Sequence, residues 1–121
     1  MAITNVVSNS SKLFKDIVVI NKTNMSLKNL HLSYEGLERP IFKIYNLHKG
    51  QQVKKSLLID YLEKPTKLLL VCNSNTDKEE SILAYDSISR DDLSTLILKI
   101  NNDGDSLFVN YIVENNIDES H

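Results

Sequence analysis

Residues 94–113, STLILKINNDGDSLFVNYIV, limit more than any other stretch what this chain can fold into. They read as two strands folded back on each other. Leu96, Leu98 and Ile100 alternate with Ile97 and Lys99 on the way in; Leu107, Val109, Tyr111 and Val113 alternate with Phe108, Asn110 and Ile112 on the way out. Between them, residues 101–106 (NNDGDS) tolerate positive φ and hydrogen-bond their own backbone, as a reversal requires. A hairpin with aliphatics on both faces is not stable alone. The remaining chain has to supply a second layer.

It has the material to do so. Residues 14–20 (FKDIVVI) form the first strand pattern. In 28–35 (KNLHLSYE) Leu30, Leu32 and Tyr34 oppose Asn29, His31, Ser33 and Glu35, which is the clearest half-buried strand in the chain. Residues 41–47 make the next, and 53–59 place Val53, Leu57 and Ile59 on one face with Lys55 interrupting it. Residues 67–72 are apolar on both faces, as a central strand is, and 81–88 follow after a polar turn. Residues 89–93 allow one short helical turn before the hairpin. The pattern of seven to eight short strands, with turn signals every eight to twelve residues and no helical periods between, predicts an all-β fold. The expected architecture is an immunoglobulin-like antiparallel β-sandwich. That is an expectation about layers, because one cysteine and no tryptophan exclude the Cys…Trp…Cys signature of antibody domains.

Length bounds the organisation. The 121 residues make one domain, expected over 14–113, between a Ser/Asn-rich arm (1–13) and an acidic tail (114–121). The formal net charge of -2 supplies no pull toward nucleic acid, and no apolar run is long enough to span a bilayer as a helix. Neither nucleic acid nor membrane is therefore an expected partner. The opening residues lack the basic and apolar regions of a secretory signal, so the expected setting is cytoplasmic.

Catalytic constellations are absent from the pattern. A nucleophile needs a base and an orienting acid, but His31 sits on a polar strand face, His48 at a turn and His121 at the last position. Cys72 lies in the run LLLVC, too apolar to favour a thiolate. No enzyme and no cofactor are expected. Oxygen ligands gather in two turns, giving Asp77 in one and Asp103 with Asp105 in the other as candidates for calcium. Neither turn has the spacing of an EF-hand, and turn chemistry accounts for these residues as well. What remains is the second face of the last hairpin. Ile97, Phe108 and Ile112 oppose the core residues, and one sandwich buries only one face per sheet. That favours a non-enzymatic module that binds a protein partner or itself through a sheet face or edge. The alternative is a loop-based binder of a small ligand, carbohydrate or calcium.

Overall fold

A computed structural model describes residues 13–36, 41–60, 62–73 and 79–114. They form eight strands: β1 (Phe14–Asn21), β2 (Leu27–Tyr34), β3 (Phe42–Leu47), β4 (Gln52–Leu58), β5 (Thr66–Asn73), β6 (Glu79–Ile88), β7 (Thr95–Asp103) and β8 (Ser106–Glu114). Residues 1–12 of the expected arm, the end of the acidic tail, Asp77 and His121 lie outside the described residues. Two four-stranded sheets result, ordered β4-β1-β7-β8 and β3-β2-β5-β6.

The all-β sandwich expected from the pattern is borne out. The immunoglobulin constant pattern divides its strands as first, second, fifth and fourth against third, sixth and seventh. Here the second and third strands share a sheet, so the agreement is at the level of two packed layers. Antiparallel pairing has one exception. β1 and β7 run parallel, from Ile17 opposite Leu96 to Asn21 opposite Ile100. Their direction is set by the whole crossover from β2 to β6, and alternation within a strand carries no record of it.

Alternation does explain the core. Ile17 and Val19 of β1, Leu30 and Leu32 of β2, Leu68 and Leu70 of β5, and Leu96, Leu98 and Ile100 of β7 are all fully buried between the sheets. Each comes from one side of its strand, as a period of two demands. Cys72 is buried among them, and β5 lies between β2 and β6, as its two apolar faces implied. At the opposite edges of the layers, the Lys55 ammonium stands 6.0 Å from the centre of the Phe42 ring, closing the gap between β4 and β3. Tyr85 of β6 and Tyr111 of β8 meet edge to face, with centroids 4.8 Å apart, across the other end.

Two polar side chains share the inner face of β1 with Ile17 and Val19. Lys15, 1% exposed, donates from Nζ to the carbonyls of Asp92 (3.1 Å) and Ser94, and stands 3.9 Å from Asp92 Oδ1. It thereby fastens the β6–β7 connection. That connection is a single hydrogen-bonded turn, Asp92 N–H to the Ser89 carbonyl, where the sequence suggested a helical turn. The Ser89 hydroxyl accepts from the Asp91 amide instead, which satisfies the backbone without a helix. At the other end of β1, Asn21 donates to the carbonyls of Met25 (2.8 Å) and Leu47 (2.9 Å) and accepts from the backbone and hydroxyl of Thr23. One side chain thus shapes the β1–β2 turn and holds the end of β3 against it. A charge and an amide at buried positions persist because nearly every polar atom they carry is paired.

Candidate interaction face

The outer face of the first sheet is built by the residues that β1, β4, β7 and β8 turn away from the core. One row crosses it from Lys54 to Val18, Ile97 and Ile112, read directly from the pairing register. Ile97 stands opposite Ile112, which makes the two side chains cross-strand neighbours on one face. Phe108 lies on the same face of β8 two pleats away, opposite Asn101. Phe108 is 41% and Ile112 43% exposed, while Ile97 and Val18 are half-buried. The three residues singled out from the sequence therefore share one surface.

Polarity is unevenly spread over that face. On the β1–β4 side, Asp16 accepts from the Ser56 hydroxyl at 2.7 Å and pairs with Lys54 at 3.5 Å. On the β7–β8 side, Lys99 is the one charged side chain in the rows between Thr95 and the hairpin tip. The apolar half ends on β8, which is the outermost strand.

That edge position corrects one expectation. Tyr111 and Val113 point to the core side, as the alternation implied, yet they are 50% and 41% exposed. Only Leu107 is buried and Val109 half-buried. An edge strand has a neighbour on one side only, so its core-facing residues are covered incompletely.

The hairpin tip is tighter than the six residues suggested by composition. Asp103 pairs with Ser106, leaving Gly104-Asp105 as a two-residue loop. Gly104 has φ +65° and Asp105 is not in the positive region, which is the pattern of a type II′ turn with glycine first. Asp103 and Asp105 flank that glycine, both exposed. Asn102 Nδ2 donates to the Gly104 carbonyl at 3.1 Å and to Asn24 Oδ1 at 3.3 Å, so this turn is braced from within and from the β1–β2 turn. Among the described residues no three carboxylate, imidazole or thiol groups gather where a metal ion would fit.

The remaining chemistry-bearing side chains are dispersed. Burial pushes the Cys72 thiol up to about 11, with Glu80 adding to the shift, so it stays protonated at neutral pH. His48 contacts Ser26 Oγ at 3.2 Å and Asn46 Nδ2 at 3.4 Å in an exposed turn. His31 lines a half-open hollow of about 270 Å³ on the outer face of the second sheet, with Asn29, Leu30, Lys43, Tyr45 and Glu79. Asn29, at φ +53°, is the extra residue of a bulge in β2 against β5, and the bulge shapes the hollow. Sequence reading missed this feature because a bulge is decided by the partner strand. It also missed Lys15 and Asn21, since a lysine and an asparagine carry no sign that they point inward.

The fold and this surface define the class as a two-layer, eight-stranded β-sandwich. The chain is similar to a protein from Eubacterium rectale solved by NMR, with a TM-score of 0.51 at 12% identity over 84% of this chain and 89% of that one. At that identity the likeness shows the fold alone. No family model and no curated protein matches the chain. No helix among the described residues is long and apolar enough to cross a membrane.

Proposed function

We propose that this chain is a non-enzymatic binding or assembly module, cytoplasmic in setting, that associates with protein through the β7–β8 half of the outer face of the first sheet. One observation carries the reading: Phe108 and Ile112 are each more than two-fifths exposed on the same face as Ile97, with Lys99 the one charged side chain in the row between them. Several exposed apolar residues on one sheet face favour association more than single scattered ones do. The test is the double change Ile97→Asp, Phe108→Asp, with light scattering and partner capture as readouts. Retained far-UV and thermal signatures with association lost support the reading. Association that survives the double change removes it.

A second reading, a small-ligand binder, draws on the hollow around His31 and Tyr45. Tyr45 is 73% exposed, and no hydrogen bond among the described residues engages the side chains of His31, Lys43, Tyr45 or Glu79. At about 270 Å³ the hollow falls just below the usual size of ligand pockets, which places this reading second. Nuclear magnetic resonance titration with neutral monosaccharides decides it, through the His31 and Tyr45 resonances.

A further inference from the structure

A sandwich of two open sheets has four edge strands, and natural sheets guard such edges with charge, proline, bulges or shortness. Three of the four edges here are guarded. β3 is six residues long and carries Lys43. β4 carries the exposed pair Lys54 and Lys55. β6 carries Glu79, Glu80 and Asp86, and its register against β5 shifts twice. The fourth edge, β8, is nine residues long, and from Ser106 to Val113 it has no charge and no proline. Its register against β7 runs without a shift from Asp103–Ser106 to Thr95–Glu114. Among the described residues, no strand pairs with its other side.

We infer that β8 pairs with β8 of a second copy of this chain, antiparallel, so that the two first sheets become one eight-stranded sheet across a twofold axis. The inference deepens the association reading above and rests on it. The occupant follows from the strand itself. Full antiparallel overlap of residues 106–114 puts Asn110 opposite Asn110 of the second copy, on the axis. Phe108 then faces Ile112 on the outer face, and Val109 faces Tyr111 on the inner face, each pair made twice. Apolar meets apolar on both faces, and cross-strand pairs of this type stabilise sheets. The central asparagines fix the register, because a slip of two residues would set each amide against an apolar side chain. Charge selects the direction. In the antiparallel pair Glu114 meets Ser106, whereas a parallel pair would set Glu114 beside Glu114. The acidic β6 edges keep the second sheets from joining, so pairing stops at one strand on each side.

The test uses single cysteines in a Cys72→Ser background. Directly opposite residues in an antiparallel pair lie about 4.5–5.5 Å apart at Cα, within disulfide reach. Asn110→Cys is expected to oxidise to a covalent dimer that keeps the far-UV spectrum of the parent, while Tyr45→Cys on β3 and Lys54→Cys on β4 remain monomeric. Adding Ile112→Lys to Asn110→Cys is expected to abolish cross-linking. Cross-linking of Asn110→Cys no faster than the two controls, or undiminished by Ile112→Lys, overturns the inference. Where Asn110→Cys stays monomeric while a separate partner is still lost with the Ile97→Asp, Phe108→Asp pair, the association reading survives and β8 pairing falls. Should both fail, the association reading fails with it.

Discussion

Replacing Lys15 by Met tests how this sandwich closes at one end. The change keeps an unbranched side chain along the path of the lysine stem and removes the ammonium. Two carbonyls, Asp92 and Ser94, then lose their donor. A hydrogen bond from a charged group contributes about 1.5–3 kcal/mol, but both carbonyls are only part-buried and water recovers some of that. Removing the buried charge also relieves a desolvation cost. Burial is indeed the larger influence on Lys15, pulling its ammonium below the usual lysine value, while the Asp92 carboxylate opposes the shift. The balance is a net loss of about 2 kcal/mol, or roughly 10 °C in Tm for a domain of this size. The ion pair adds little, because the Asp92 side chain is 43% exposed and its carboxyl is held low first by the Ser94 amide. A double-mutant cycle with Asp92→Asn is therefore expected to show coupling below about 0.5 kcal/mol. The sign in pH also follows. A lysine with a lowered folded value releases its proton before the unfolded chain does, so this group makes stability rise with pH just below 10.5. The assay is thermal unfolding of wild type and Lys15→Met from pH 7 to 10. A Tm for Lys15→Met within about 2 °C of wild type, or above it, would refute the reasoning and show that desolvation cancels the hydrogen bonds.

Two further outcomes rest on separate groups. The Cys72 thiol, raised from 9.0 to about 11, contributes stability that is complete below pH 9 and lost as pH rises toward 11. That loss is about 2–3 kcal/mol, and in Cys72→Ala the alkaline decline should flatten by the same amount when unfolding is followed across the window. Asn21→Asp sets a carboxylate against the Met25 and Leu47 carbonyls, to which the amide now donates. Like polarity there raises the carboxyl's folded value, so stability is expected to fall as pH rises. Thermal melts should show the variant several degrees closer to wild type at pH 4 than at pH 7.5; equal deficits at both would contradict this.

Much of the fold was legible because alternation was clean. Leu30, Leu32 and Tyr34 announce β2, and all three are buried in the structure. Ile97, Phe108 and Ile112 announce one surface in the same way. What escaped the sequence depends on partners distant in the chain. The parallel pairing of β1 with β7, the bulge at Asn29 and the placement of β8 at an edge are set by tertiary contacts. So is the exposure of Tyr111 and Val113, whose apolar character suggested fuller cover. Lys15 escaped for a different reason. Lysine is almost never fully buried unless its ammonium is paired, and the carbonyls that pair with it come from residues 92 and 94.

The central claim is self-association through the β7–β8 half-face and its edge. Amide proton and nitrogen chemical shifts, followed as the protein is concentrated from the micromolar to the millimolar range, test it most directly. The account predicts shifts that move together with one apparent Kd and concentrate at Ile97, Phe108, Asn110 and Ile112, with the β3, β4 and β6 edges unmoved. Spectra that stay fixed across the range, or shifts centred on the guarded edges, would contradict it.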